Sequence, residues 1–452
     1  MSDRVPGARD IAATVIARVM VDDAFASAAL DAEIRRWPQL DPRDIGLATE
    51  LTYGVLRTEA FLETALQRHA ARGRITLMGE ARAHLLAGAY AIAFLDRVPV
   101  YASVSEAAAG VGRSTDPRVA GFANALLRGY ANEVEHGGRP TLAEAAIEGA
   151  PGWLRGALRR SLGRKGASEF LAAGPVPPPL GIALGRGEDR DAWIDRLREA
   201  APSATIEPGA ISPRAITLRG AGDPRRLPGC DAAWIAQEEG AQALAFLVGA
   251  RPGERVLDAC AGRGNKAWIL ADAVGVGSKD GEAGSVEAAD IHPRKLEELS
   301  SGALEGRVAR THAVDWTAGV GEVSAGFERV LIDAPCSGVG TLRRRPEIGR
   351  KRSADDVVRL AELQTAIVRS AATRAKTGGI VVFAVCSVLD AECEGVTAIL
   401  AAQGDARGRK LVPIALPGAA AVGIAEDAVA IRLLPQLHGT DGYFAASFVV
   451  VD

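Results

Sequence analysis

The 452-residue chain is short of cysteine, of long apolar runs and of net charge, and each shortage excludes something. Its five cysteines, Cys230, Cys260, Cys336, Cys386 and Cys393, are odd in number and form no CxxC pair. That excludes a disulfide framework and a cysteine-paired structural zinc site, and it fits a reduced, cytoplasmic protein without metal. The longest apolar run, GIVVFAVCSVL at 379–389, is far too short to cross a bilayer, so no membrane partner is expected. The stretch MSDRVPGARDIAATVIARVM has charges spaced through it and no unbroken apolar core, unlike a signal peptide. Formal net charge is −3, so a nucleic-acid partner would need a local basic surface rather than a basic protein.

What is present is a soluble globular composition, 48% hydrophobic and 24% charged, long enough for two or three domains. Residues 1–135 read as helix after helix. ARDIAATVIARVM, RDIGLATELTYGVLRTEAFLETALQRHA and GEARAHLLAGAYAIAFL all repeat apolar residues at helical spacing. Residues 136–180 read as a helical connector ending in the stiff, proline-rich AGPVPPPLG. Residues 181–250 read as a small α+β subdomain that returns to helix at 233–250. From 251 to 452 strands alternate with helices, with strands at 255–260, 285–291, 307–315, 329–335 and 379–387. Continuous apolar strands of that kind predict a mostly parallel sheet covered on both faces, a Rossmann-like α/β domain. AVAIRLLP and YFAASFVVVD then predict a terminal hairpin closing the sheet edge.

The first strand of that domain runs into DACAGRGNKAWIL, where two glycines open a helix and set backbone amides at its N-terminus. Asp290 ends the second strand, the position from which an acid bonds ribose hydroxyls in doubly wound folds. The separation exceeds the usual ~20 residues, and the excess falls in GVGSKDGEAGS at 275–285, which reads as a surface insertion. Asp315 and Asp333 end the third and fourth strands. Any one of these acids could be a helix cap; three at the carboxyl ends of successive strands favour a nucleoside ligand.

Cys336 follows the fourth strand and Cys386 ends the fifth, so both thiols can reach the crevice beside Asp333. Cys230, Cys260 and Cys393 read individually as small buried hydrophobes. Methyl transfer to C5 of a pyrimidine needs the paired set. A thiolate adding at C6 makes C5 nucleophilic, and a carboxyl group at N3 stabilises the developing charge.

LIDAPCSGVGTLRRRPEI, VVFAVCSVLDAECE, VLDACAGRGNK and HGTDGYFAASF resemble the motifs of the Sun/RsmB (NSUN) family of RNA cytosine-5 methyltransferases. LATELTYGVLRTEAFLETAL, LLAGAYAIAFLDRVPVYASVSEA and GFANALLRGY resemble the NusB-like RNA-binding domain of its bacterial, ribosomal-RNA-modifying branch. The resemblance implies a NusB-like domain at 1–135 and a seven-stranded, S-adenosyl-L-methionine-dependent catalytic domain. It implies Cys386 as nucleophile, Cys336 in product release and Asp333 against cytosine N3. It also implies that S-adenosyl-L-methionine contacts Cys260, Ala261, Gly262, Arg263, Gly264, Asn265 and Lys266, together with Asp290, Asp315 and Asp333. The implied substrate is RNA, small-subunit ribosomal RNA first, and a monomer is expected. The same chemistry on transfer RNA and a catalytically degenerate RNA-binding assembly factor are the competing readings.

The sequence departs from the family at two places. Its cofactor loop is Ala261-Gly-Arg-Gly-Asn-Lys266 instead of Ala-Pro-Gly-Gly-Lys, which puts asparagine where the family has glycine. Arg263 is expected to meet the carboxylate of the cofactor. The later motif reads Ala384-Val-Cys-Ser387 instead of Ser-Thr-Cys-Ser. Finally, Arg343, Arg344, Arg345, Arg350, Lys351 and Arg352 follow the Cys336 motif and are expected to grip RNA phosphates, while the target base swings into the site.

Overall fold

The computed structural model describes residues 5–70, 73–277, 283–302 and 304–452. The chain divides into two compact units, Met1–Pro177 with Leu342–Ser353, and Pro178–Thr341 with Ala354–Asp452. Residues 278–282 of the expected surface insertion lie outside the described residues.

The first unit is helical. Helix Gly79–Phe94 sits at its centre, buried from Ala83 through Ala93. Helices Ala8–Val21, Pro42–Gln67, Val100–Ser114 and Pro117–Gly137 pack their apolar stripes into the same core. Two of these helices start in the same way. Asp41 accepts from the Arg43 amide (2.7 Å) and Asp116 from the Arg118 amide (2.8 Å), with proline at the first helical position each time. Aspartate satisfies an orphan N–H and proline has none to satisfy, so Asp-Pro marks both starts. The unit does not stop at 135. A Thr141–Glu144 capping box starts helix Leu142–Gly149, and helix Gly152–Ala173 follows in the same unit, bent where Gly163 takes φ 71°. The expected connector segment belongs to the same compact unit, up to Pro177.

In the second unit, β1 (Leu180–Leu184), β2 (Thr205–Pro208), β3 (Ala215–Arg219) and β4 (Trp234–Ala236) form an antiparallel sheet in the order β2-β3-β1-β4. Helix Arg190–Ala200 covers it with Trp193, Ile194 and Leu197.

The main sheet contains β5 (Arg255–Asp258), β6 (Ser285–Asp290), β7 (Arg310–Ala313), β8 (Phe327–Asp333), β9 (Ala375–Val385), β10 (Lys410–Ile414), β11 (Ala430–Leu433) and β12 (Tyr443–Val451). The hydrogen-bonded order is β10-β12-β9-β8-β5-β6-β7, with β11 pairing β12 off that path. The seven-stranded path matches expectation, and β5 to β9 are parallel. β11 and β12 make the expected antiparallel hairpin, with Leu433 opposite Tyr443. They do not close the edge. β12 lies between β9 and β10, and β10 is the edge strand. Its Pro413 suits an edge, where no ladder amide is needed on the open side. The order reverses at β5, which has β6 on one side and β8 on the other, and the carboxyl ends of these strands open the crevice.

Candidate active site

Ala259, Gly262, Asp290, Asp315, Trp316 and Asp333 are among the residues around a cavity of about 520 Å³ at these strand ends. That size and its mixture of apolar walls and a few acids are those of a small-molecule site. The loop from β5 is shaped by its glycines. Gly262 (φ 58°) turns its amide onto Asp290 Oδ2 at 3.0 Å, and Gly264 (φ 83°) caps helix Asn265–Ala273. A Cβ on Gly264 would stand 2.2 Å from Leu304 Cδ1, so both its conformation and its space require glycine. Asn265 is the first residue of the helix and does not take positive φ. The asparagine therefore needs no special tolerance, because both left-handed positions of the loop kept glycine.

The expected acids differ in their surroundings. Asp290 is buried, with Oδ2 on Gly262 and Oδ1 accepting from the His292 amide at 2.8 Å. Asp315 is exposed and accepts from the Thr317 hydroxyl (2.6 Å) and amide (2.9 Å), bonds that hold its pKa below the ordinary value. Asp333 pairs with the Lys266 ammonium. Burial works against the Lys266 charge, but Asp333 and Asp258 outweigh it and raise its pKa. Cys260 lines the cavity, and burial, then the surrounding acids, push its thiol well above the ordinary range. Arg263 is three-quarters exposed and forms an ion pair with Glu298 at 2.9 Å.

The two cysteines come together as expected. β8 and β9 are neighbours, in register up to Asp333 opposite Ala384, and just beyond them Cys336 Sγ and Cys386 Sγ are 3.2 Å apart. Contact with Cys386, then burial, raises the Cys336 pKa well above normal, so this thiol keeps its proton. The backbone holds the pair from behind. The Gly340 amide donates to Cys386 O (3.1 Å), and the Gly442 amide donates to Gly340 O (2.8 Å). A Cβ on Gly340 would lie 1.9 Å from Gly442 O, which explains the glycines of both SGVGT and TDGYF.

In the basic run, Arg343, Arg350 and Lys351 are buried or have protein partners. Arg343 is 5% exposed, and its carbonyl accepts from Arg57 Nη2 at 2.7 Å. Arg350 Nη2 donates to the carbonyls of Val19 (3.3 Å) and Met20 (2.5 Å) in the last turn of helix Ala8–Val21, where carbonyls lack helical partners. Lys351 pairs with Asp23 (2.8 Å) and lies over the Phe25 ring (4.6 Å). These cations bind the helical unit to which their own segment belongs. Arg345 is exposed, and Arg344 and Arg352 are half-buried.

Two residues escaped the sequence reading. Asp258, the last residue of β5, is 1% exposed, and among the described residues neither of its oxygens has a well-formed hydrogen bond. Burial raises its pKa to about 7; Lys266 opposes that shift and Asp333 reinforces it. Glu392 is fully buried and bonded to the serines that follow both cysteines.

Comparison with known proteins matches this arrangement. The family model described as 16S rRNA methyltransferase RsmB/F matches residues 245–449, and the NusB family model matches residues 6–132. A ribosomal RNA small subunit methyltransferase B from Pseudomonas putida is 30% identical over 97% of this chain and 98% of its own length. The protein of that name from Erwinia tasmaniensis is 29% identical over 98% of each chain.

The chain belongs to the RsmB/F family of 16S rRNA methyltransferases.

The solved structure of PH0851 covers 99% of the chain at TM-score 0.75 and 20% identity, and shares the fold. NSun6 from Pyrococcus horikoshii, solved with SFG, covers 67% of this chain and 98% of its own at TM-score 0.52 and 16% identity. Against the RsmB/F pattern, the second motif's hydroxyl losses fall at Ala384 and Val385, both fully buried in β9. They leave Ser387 and its bond to Glu392 in place.

Proposed function

We propose that this chain transfers a methyl group from S-adenosyl-L-methionine to C5 of a cytosine in small-subunit (16S) ribosomal RNA. The observation that carries this is the pair of thiols 3.2 Å apart just beyond Asp333, which pairs with Lys266 and lines a cavity edged by acids. The cavity fits the cofactor. Asp290 and Asp315 stand where ribose hydroxyls and amino groups can be bonded, Trp316 and Ile367 supply apolar wall, and the glycine turn leaves backbone room beside them. When bound, S-adenosyl-L-methionine supplies an electrophilic methyl group.

The protein does the rest. Cys386 attacks C6 of the cytosine, forming an S–C6 bond that makes C5 nucleophilic. Asp333 contacts the N3 edge in this reading, and the Lys266 ammonium paired with it opposes the negative charge that develops there. After C5 takes the methyl group, its proton must leave and the S–C6 bond must break. Cys336, protonated at rest and touching Cys386, is our candidate for that release: its thiol proton passes to the departing Cys386 sulfur, and the Cys336 thiolate so formed takes the C5 proton. The helical unit supports an RNA substrate through its NusB-family match, and Arg345 is the remaining exposed cation of the basic run with no protein role assigned above.

The test is tritium release from C5-labelled cytidine in 16S rRNA, with transfer RNA as a second substrate. Release from 16S rRNA that is lost in Cys386→Ala supports the reading. Release from transfer RNA alone, or from neither, overturns it.

A further inference from the structure

We infer that Glu392 is a positioning residue that holds the two thiols in one register, an inference that rests on the assignment of Cys386 and Cys336 above. The sheet alone cannot set their spacing. The register of β8 and β9 ends at Asp333 and Ala384, and both cysteines lie in the segments that leave the sheet. Backbone bonds join those segments at Ala334–Ala384 (2.9 Å) and Gly340–Cys386 (3.1 Å), and between them one fully buried carboxylate ties the residues that follow the two sulfurs.

Glu392 Oε1 accepts from the Ser337 amide (2.7 Å) and from Gln364 Nε2 (3.1 Å). Its Oε2 accepts from Ser337 Oγ (2.5 Å) and Ser387 Oγ (2.6 Å). Ser337 follows Cys336 and Ser387 follows Cys386, so the same carboxylate grips the residue after each sulfur. The two hydroxyls are themselves 3.4 Å apart. Gln364, from helix Ala354–Ala372, also donates to Pro335 O (3.0 Å), which fixes the residue before Cys336 to the same point. The acids on either side of Glu392 behave differently: Asp390 and Glu394 both pair with Arg432. Only the middle one of the three turns inward.

A carboxylate is retained in a closed interior only when its lone pairs are filled, and here four neutral donors fill them. The two thiols act in turn on one base, so each must stay within reach of the same carbon. A displacement of about 1 Å at a reacting group costs on the order of 10²-fold in rate. Glu392 prevents that displacement without touching RNA or cofactor.

The test uses the full-length protein with 16S rRNA and S-adenosyl-L-methionine. Glu392→Ala lowers kcat on the order of 10²-fold, while the KM for S-adenosyl-L-methionine changes by less than about twofold because the cofactor cavity is not disturbed. Glu392→Gln, with the same shape, recovers kcat to within about tenfold of the unaltered protein. Ser337→Ala and Ser387→Ala each cost less, and combining either with Glu392→Ala adds little, because all act through one clasp. Thermal melting and cofactor affinity are read on every variant. Unimpaired kcat in Glu392→Ala overturns the inference. So does a loss of turnover that Glu392→Gln fails to restore, or one that follows lost cofactor binding and lowered melting temperature, since either describes a structural role alone. A Cys386→Ala protein that still turns over would instead remove the catalytic assignment on which the inference stands.

Discussion

On the β5–β7 side of the crevice stand backbone amides, buried Asp290 and exposed Asp315. Gly262 and Gly264 shape the turn, and exposed Arg263 pairs with Glu298. On the β8–β9 side the sulfurs are half-buried, backed by Gly340 and Gly442 and tied through buried Glu392. On the proposed function the first side admits and releases a small molecule, and surface groups with few packing partners can tolerate substitution. The second side then holds two reacting atoms, and there packing and buried hydrogen bonds leave little freedom. Asp258 and Lys266 lie between the two, coupling the buried acid that ends β5 to Asp333 at the end of β8.

The contrast can be broken first at the sulfurs. Cys386→Ala should lower turnover by more than about 10⁴-fold. Cys336→Ala should instead accumulate a covalent RNA–protein band on denaturing gels in the presence of cofactor. A band from Cys386→Ala would exchange the two roles.

Asp258 tests the junction through pH. Its folded pKa of about 7 stands above the ordinary 3.8, so the folded protein holds the proton more tightly than the unfolded chain. Its contribution is present in full below about pH 4 and is lost as pH rises through about 7. A shift of about 3 units corresponds to about 4 kcal/mol. Asp258→Asn should therefore gain stability relative to the unaltered protein as pH rises from 4 to 7, by up to about that amount. Parallel unfolding curves at pH 5 and pH 8 check it, and a difference independent of pH would contradict the buried, uncompensated acid.

Gly340→Ala against Gly262→Ala compares the packing of the two sides. The first places a Cβ 1.9 Å from Gly442 O, whereas the second meets nothing within 4 Å and is strained only by its φ of 58°. Overpacking should cost about 1–3 kcal/mol and should depress turnover along with melting temperature at Gly340. Gly262→Ala should mainly weaken cofactor binding. The smallest effect is expected at Arg263→Ala, where isothermal titration should show less than about a twofold change in cofactor affinity, because exposed ion pairs such as Arg263–Glu298 contribute little.

Much of the fold is legible in the sequence, for physical reasons that can be named. Buried parallel strands read as continuous apolar runs, as in RVLIDAP and GIVVFAV, and Asp-Pro marks helix starts at 41 and 116. β10 is not legible, because KLVPI alternates weakly and carries a proline that argues against a strand except at an edge. The cysteines stand out by their rarity and their place at strand ends. Glu392 does not stand out: in DAECE, three acids alternate, and only the short helical turn Asp390–Glu392 determines which faces inward. Asp258 is hidden because the sequence reads the strand as 255–260, with the acid inside it, whereas β5 ends at Asp258. The arginine run misleads for the opposite reason. Charge in sequence says nothing about partners, and Arg350 and Lys351 find carbonyls and Asp23 of the helical unit.

The central claim is tested most directly by mapping 5-methylcytosine in small-subunit ribosomal RNA from cells with the gene, without it, and restored with Cys386→Ala. The account predicts one modified cytosine that disappears on deletion and does not return with Cys386→Ala. An unchanged map after deletion, or full restoration by Cys386→Ala, would contradict it.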